Sequence, residues 1–114
     1  MQFSEIKKEE LIENVKKISG SDDVEVDYSL PRDSSSTGFL AVTFYLDVPP
    51  NKDKLENDLA DIVTVSRQAA KESGITTPDI NVVAMLKDET TPLGVGNYFS
   101  ITGKTYVRVE DIKV

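Results

Sequence analysis

Hydrophobic and polar residues alternate from residue 23 to residue 30, and this alternation predicts a strand with one buried face. Its apolar members are Val24, Val26, Tyr28 and Leu30, and the residues between them are acidic or hydroxyl-bearing. A period of two places successive side chains on opposite faces of a sheet. The polar run from Pro31 to Thr37 then predicts a flexible connection to a second strand.

Two further strands are predicted with apolar residues on both faces. In residues 39–48 one face carries Leu40, Val42, Phe44, Leu46 and Val48, and the other carries Phe39, Ala41, Thr43, Tyr45 and Asp47. After Pro78 and Asp79, one face carries Ile80, Val82, Ala84 and Leu86, and the other carries Val83 and Met85. At their centres, these two strands therefore lack the polar face that is expected when one side of a sheet faces water.

A first amphipathic helix is predicted from Ser4, which can serve as the N-cap, to about Ser19, with Gly20 in the left-handed conformation that closes a helix. Its apolar face consists of Leu11, Ile12, Val15 and Ile18. Ile6 lies off this face, so the helix either begins a turn later or uses Ile6 as a capping contact.

A second amphipathic helix is predicted between Asn51, which can cap it, and about Ser73, with Gly74 closing it. Pro49 and Pro50 stop the preceding strand because they cannot donate ladder hydrogen bonds. The face suited to a sheet consists of Leu55, Leu59, Ile62, Val63, Ser66, Ala69 and Ala70. Residues 62–65 are all β-branched and favour an extended backbone, but the helical period continues through them.

The C-terminal third predicts a turn-rich loop followed by strand-forming residues. The loop runs from Asp88 to Asn97 and contains Pro92, Gly94 and Gly96. Residues 98–112 are rich in strand formers and interrupted at Gly103, so they form either one bent strand or a small hairpin that turns at residues 102–104.

The element order α-β-β-α-β-β predicts a single α+β domain spanning residues 1–114. We expect a two-layer sandwich in which both helices cover one face of a mainly antiparallel sheet of four or five strands. The leading topology is a permuted or distorted ferredoxin-like arrangement. Joining the ends of this order and reopening it before the last strand gives the order β-α-β-β-α-β of that class.

The amino-acid composition excludes more kinds of catalytic and metal-binding site than any motif in the sequence does. The sequence contains no Cys, His or Trp. This absence excludes thiol nucleophiles, thiolate and imidazole metal sites, and relays that depend on His. We therefore expect a protein that is not an enzyme and uses neither a cofactor nor a metal.

Charge and apolar run lengths indicate which partners to expect. The net charge of −7 argues against a nucleic-acid partner, because affinity for phosphate backbones comes from Lys and Arg. The longest apolar runs, residues 39–42 and 82–86, fall far short of the ~20 residues of a membrane helix. The N-terminus lacks the apolar core of a signal peptide. A soluble cytoplasmic protein is the default expectation, and an exported domain whose upstream signal was replaced at Met1 is the alternative.

Two sets of polar or glycine-rich residues are weak candidate sites. Gly94, Gly96 and Asn97 could present backbone amides to a ligand, but no Lys-Ser/Thr pair or helix follows them, and turn geometry explains the glycines. The second set is a row of carboxylates that could attract a hard cation: Asp22, Asp23, Glu25 and Asp27. Alternate strand residues lie ~6.6 Å apart, which is too open for a metal site, so an acidic solvent face is the preferred interpretation.

The back of the sheet is the strongest candidate. If the helices cover the Leu40 and Ile80 side, the opposite side collects Phe39, Ala41, Tyr45, Val83 and Met85, with Tyr98 or Tyr106 as further members. Either long loops, especially residues 88–97, fold over these residues, or the residues are scattered singly, or a partner covers them. A second copy of the chain is the favoured partner, since symmetric dimers are common.

Two functional hypotheses follow. The first is a non-enzymatic interaction or structural domain that self-associates through the sheet face not covered by helices. The second is a small-ligand-binding module, as in an exported sensory or lipoprotein-derived domain, with a pocket beside Gly94 and Gly96.

Overall fold

The computed structural model describes residues 5–29, 38–73 and 78–109, and these form two helices and one five-stranded sheet. The helices are α1 (Glu5–Ser19) and α2 (Lys52–Glu72), and the strands are β1 (Asp23–Ser29), β2 (Gly38–Leu46), β3 (Pro78–Leu86), β4 (Gly94–Phe99) and β5 (Lys104–Val109). The predicted cap at Ser4, the side chain of Ile6, the connection of residues 31–37, the closing Gly74 and residues 110–112 of the last strand lie outside the described residues.

The end of α1 is fixed by a glycine and two buried serines. Gly20 has a φ of 76° and donates its N–H to the Lys16 carbonyl at 2.8 Å, as predicted for a left-handed helix end. The Ser19 hydroxyl donates to the Val15 carbonyl at 2.7 Å, and the Ser21 hydroxyl donates to the Tyr45 carbonyl at 2.6 Å. The Ser21 hydroxyl also bonds to the backbone of Asp23, so this serine links the segment that follows α1 to the start of β1 and to the end of β2.

The strands lie in the sheet in chain order, β1-β2-β3-β4-β5. Three of the four pairings are antiparallel, and β2 pairs with β3 in parallel. The predicted α+β class, the mainly antiparallel sheet and the two helices packed on it are confirmed. The ferredoxin-like arrangement is wrong, because its split β-α-β unit leaves room for a strand between the two parallel strands, whereas here α2 connects direct neighbours.

Helix α2 begins at the predicted cap and buries the predicted face. The Asn51 carboxamide oxygen accepts hydrogen bonds from the backbone N–H groups of Asp53 at 2.9 Å and Lys54 at 3.3 Å. Its buried residues are Leu55, Leu59, Ile62, Val63, Ser66, Ala69 and Ala70. The β-branched run stays helical because Ile62 and Val63 are fully buried against the sheet, and this packing outweighs local propensity.

One core lies between the helices and one face of the sheet. It combines Leu11 and Val15 of α1 and the α2 face with alternate strand residues, Val26, Leu40, Val42, Phe44, Ile80, Val82 and Ala84. We call the sheet face that carries these strand residues the helix-covered face. Burial of this apolar surface is the main stabilising contribution to such a domain.

The C-terminal region is a hairpin, which confirms one of the two alternatives for residues 98–112. Gly103 has a φ of 68°, and its N–H donates to the Phe99 carbonyl at 2.8 Å. The predicted loop of residues 88–97 is wrong in its second half, because β4 begins at Gly94. Glycines that resemble turn residues in the sequence therefore lie inside a strand.

Candidate functional site: the open face of the sheet

The side of the sheet turned away from the helices forms a second surface, which we call the open face. Its central members are Ala41, Thr43 and Tyr45 of β2, Asn81, Val83 and Met85 of β3, and Val95 and Asn97 of β4, all intermediate in exposure. Within the described ranges no helix lies over it. β4 adds residues to this face, so the part of residues 88–97 from Gly94 onward extends the face and does not cover it.

The register aligns the open face in rows across the strands. One row runs from Glu25 through Thr43, Val83 and Val95 to Arg108. The adjacent row consists of Asp27, Ala41, Asn81, Asn97 and Tyr106. Both rows are acidic at β1 and end in a hydrogen-bond donor at β5, with small or apolar residues between.

The structure places all five predicted interface residues on this one face. Tyr45 and Met85 are direct neighbours across β2 and β3, and Val83 lies two residues before Met85 on the same face. Ala41 and the 44% exposed Phe39 continue the face along β2. The sequence prediction therefore identified a contiguous surface, and its role in association stays a prediction.

Aromatic side chains form one end of the open face. Phe99 and Tyr106, 45% and 51% exposed, have ring centroids 5.8 Å apart, a separation at which aromatic rings attract each other. Of the two tyrosines considered from the sequence, Tyr106 belongs to this face. Tyr98 lies on the helix-covered side, where the Arg67 guanidinium stacks 4.0 Å from its ring centroid.

A polar pair lies in the middle of the open face. The Asn81 side-chain amide donates to the Asn97 carboxamide oxygen at 2.7 Å, and the two residues are cross-strand neighbours. The sequence predicts that Asn97 lies in a loop together with Gly94 and Gly96. Its side chain instead points to the face opposite the two glycines and is a neighbour of the predicted interface residues.

The acidic edge of the open face perturbs one of its tyrosines. The Tyr45 hydroxyl donates to a Glu25 carboxylate oxygen at 3.4 Å. Partial burial, followed by the negative charges of Glu25 and Asp23, raises the pKa of the Tyr45 hydroxyl. On the helix-covered face the pKa of Tyr28 is also raised, and there the cause is burial.

Gly94 and Gly96 have a packing role on the helix-covered face. A Cβ added to Gly94 would lie 2.9 Å from Cδ1 of Leu59, and one added to Gly96 would lie 3.0 Å from Cγ2 of Val63. The missing side chains therefore allow α2 to approach β4 closely. Both glycines pair with β3 and β5 in the sheet. The prediction that they are in a loop is wrong, and their ligand role stays a prediction.

The carboxylates near β1 form an ion-pair cluster at one end of the sheet and an acidic edge along β1. The Lys87 ammonium lies 3.0 Å from carboxylate oxygens of both Asp22 and Asp47. This pairing lowers the pKa of Asp22, chiefly through the hydrogen bond, and raises the pKa of Lys87. Among the described residues, no three His, Cys, Asp or Glu side chains are grouped so that they could hold a metal ion.

Neither of the two described helices is long and apolar enough to cross a membrane. A shallow depression along α1 is lined by Glu9, Glu10, Glu13, Asn14 and Lys17. These side chains lie on the exposed side of α1, far from the open face, and they include no buried polar group that would orient a small ligand.

Comparisons with known proteins support the fold. No family model matches the chain, and no curated protein matches it. Solved structures that are similar to it include two sex pheromone precursors. The sex pheromone staph-cAM373 precursor matches with a TM-score of 0.54 and 14% identity, over 93% of this chain and 36% of that one. A sex pheromone precursor from Lactobacillus salivarius subsp. salivarius matches with a TM-score of 0.52 and 14% identity, over 94% of this chain and 30% of that one. The chain thus spans about a third of the length of these structures, and the likeness shows a shared α+β fold.

Proposed function

We propose that this chain is a non-enzymatic interaction domain that self-associates through the open face. The observation that supports it most directly is the apolar character of a sheet face that the helices leave uncovered. In a two-layer fold such a face is normally polar. Here Phe39, Val83 and Met85 occupy it together with Val95, Phe99 and Tyr106.

The distribution of polarity on this face is typical of a protein interface. Such interfaces combine an apolar or aromatic centre with a polar rim. The centre of the open face carries Ala41, Val83 and Val95, and its charged residues lie on the two edge strands, β1 and β5, apart from Asp79 near the start of β3. In the centre, the Asn81 side-chain amide donates to the Asn97 carboxamide oxygen, so this donor and this acceptor would keep each other as partners if the face were covered.

The size of the face predicts a weak dimer. Five strands at ~4.8 Å spacing and β1's seven residues at ~3.3 Å each give about 550 Å² per copy, or about 1,100 Å² in total. This area lies near the lower limit for a specific interface. We therefore expect a dimer that dissociates on dilution below micromolar concentration and is populated at tens of micromolar.

Sedimentation velocity over a concentration series tests the proposal. Phe39→Asp and Met85→Asp each place a carboxylate on the open face and should shift the protein to monomer. Val48→Asp is the matched control, because Val48 is 70% exposed in the corner between β2 and α2 and the charge change is the same. Circular dichroism melting checks that each variant is folded. Because Phe39 is 44% exposed, we expect Phe39→Asp to destabilise the fold less than Met85→Asp.

A wild-type protein that stays monomeric at tens of micromolar would contradict the proposal. So would a dimer that Val48→Asp disrupts as strongly as Phe39→Asp and Met85→Asp. Disruption by both open-face variants alone would support it.

The second candidate is a small-ligand-binding module in an exported protein. The observation that favours it is the fold shared with two proteins named sex pheromone precursors, which are about three times longer than this chain. A domain of such a protein would function outside the cell beside further domains. A thermal-shift screen against small metabolites and peptides tests it: a reproducible rise in melting temperature supports binding, and a flat screen opposes it.

A further inference from the structure

The open face has opposite charges at its two edges, and this asymmetry determines how two copies would face each other. β1 carries Asp23, Glu25 and Asp27 on this face, and β5 carries Lys104 and Arg108. Glu25 and Arg108 lie at the two ends of one cross-strand row. Four strand spacings of ~4.8 Å separate their Cα atoms by about 19 Å.

A row with an acid at one end and a base at the other is complementary to its own inverted copy. Its middle member is Val83 on β3, the central strand. A two-fold axis that runs parallel to the strands and passes over β3 exchanges the two edges of the sheet. It therefore places β1 of one copy over β5 of the other. An axis that runs across the strands would instead place β1 over β1 and bring its three carboxylates together, whereas the axis parallel to the strands brings together only the Asp79 carboxylates of the two copies, which accept hydrogen bonds from Ser100 within their own chains.

From this complementarity we infer that the partner of the open face is a second copy of the chain, related by a two-fold axis parallel to the strands. This inference rests on the proposed function and adds the orientation of the partner. Glu25 of each copy then meets Arg108 of the other, and Asp27 meets Tyr106, whose hydroxyl can donate to a carboxylate. Such rim pairs select one orientation among those that the apolar centre would allow.

The twist of the sheets does not remove this pairing. Facing sheets pack about 10 Å apart and are rotated by about 30° relative to each other. At an edge strand about 10 Å from the axis, the rotation displaces the facing residues by about 5 Å. This displacement is smaller than the ~6.7 Å between successive rows on one face. The long side chains of Glu25 and Arg108 can therefore still meet.

Salt dependence alone cannot test the orientation. Two chains with a net charge of −7 repel each other, and added salt weakens this repulsion together with the rim attraction. The informative quantity is the difference between variants of equal net charge. Glu25→Lys and Asp61→Lys change the charge equally, but Glu25 lies on the open face and Asp61 is exposed on α2. Arg108→Glu and Lys71→Glu form a second matched pair.

Sedimentation equilibrium at low and at high salt measures the dimer dissociation constants of these variants. At low salt, Glu25→Lys should weaken the dimer about tenfold relative to Asp61→Lys, since two symmetry-related attractions become repulsions. Arg108→Glu should do the same relative to Lys71→Glu. The double variant Glu25→Lys/Arg108→Glu restores both contacts and should return to near the wild-type value. High salt should reduce all these differences.

The outcomes separate the orientation from the proposed function. A wild-type dimer that Met85→Asp disrupts, but whose charge-reversal variants behave like their matched controls, would overturn the orientation and leave the open-face interface standing. Failure of the double variant to recover would also overturn it. A wild-type protein that is monomeric under all conditions would overturn both. Recovery in the double variant supports the inference, because only opposite edges in contact predict it.

Discussion

The two faces of the sheet are built from the same strands and differ in almost every physical property. On β2, Phe44 is fully buried under the helices, whereas Phe39 is 44% exposed on the open face. On β4, Gly94 and Gly96 are buried against α2, whereas Val95 and Asn97 are partly exposed. The helix-covered face is packed against the two helices and is fully buried at its centre. The open face carries apolar and aromatic side chains that no other element of the described residues covers, and this difference is why we propose that association uses the open face.

The largest expected effect comes from truncating one phenylalanine on each face. Phe44→Ala removes a fully buried ring and should lower the free energy of unfolding by about 3–5 kcal/mol. Phe39→Ala should lower it by about 1 kcal/mol or less in the monomer, because much of that ring is already in water. Urea denaturation at low protein concentration measures both. Similar losses at the two positions would mean that the faces are not energetically distinct.

A smaller effect is expected from substitutions at adjacent residues on the two sides of β4. Gly94→Ala places a methyl group 2.9 Å from Leu59 and 3.1 Å from the Arg108 carbonyl oxygen, so it should destabilise the domain by about 1–3 kcal/mol. Val95→Thr, at the next residue on the open face, keeps the shape and should change stability by about 0.5 kcal/mol or less. Thermal or urea melts compare the two. A neutral Gly94→Ala would show that α2 can move away from β4 without cost.

The smallest effect concerns the two perturbed tyrosines. Glu25→Gln should lower the pKa of Tyr45 part of the way to its usual range, since it removes a neighbouring negative charge, and should leave that of Tyr28 unchanged, since burial is its cause. NMR titration of the tyrosine ring carbons measures both. An unchanged pKa of Tyr45 would assign its shift to burial and to the charge of Asp23.

The raised pKa values of Tyr45 and Tyr28 also predict that the domain loses stability at alkaline pH. A tyrosine whose pKa is raised on folding favours its protonated form in the folded state. Its contribution is therefore complete below the unfolded pKa of about 10 and is lost as the pH rises through the folded pKa. We expect stability to fall above about pH 10, and Glu25→Gln should lessen the part of that fall that comes from Tyr45.

Much of the helix-covered face could be predicted from the sequence because it depends on local periodicity. The Asn51 cap and the seven buried residues of α2 follow from a polar residue before a 3.6-residue apolar repeat. The sequence predicts a loop at the glycines of β4, because tight turns and close helix packing both favour glycine. Their spacing of two, which puts both on one side of a strand, was the signal that could have distinguished these roles.

The open face depends on pairing register, which the sequence does not contain. Phe39, Tyr45 and Val83 could be assigned to one side from alternation alone. That Glu25 and Arg108 end the same row follows only from all four strand pairings, and the bond between Asn81 and Asn97 follows only from the pairing of β3 with β4. The direct parallel pairing of β2 with β3 had a signal, since a helix between two strands is the usual parallel connection.

The most direct test of the open face as an association surface is methyl NMR of adjacent residues that lie on opposite faces, recorded from dilute to concentrated protein. Our account predicts concentration-dependent shifts for Val83, Val95 and Met85, and none for Val82 and Ala84, which lie on the helix-covered face of the same β3 strand. Shifts confined to helix methyl groups, or methyl spectra that do not change with concentration, would contradict it.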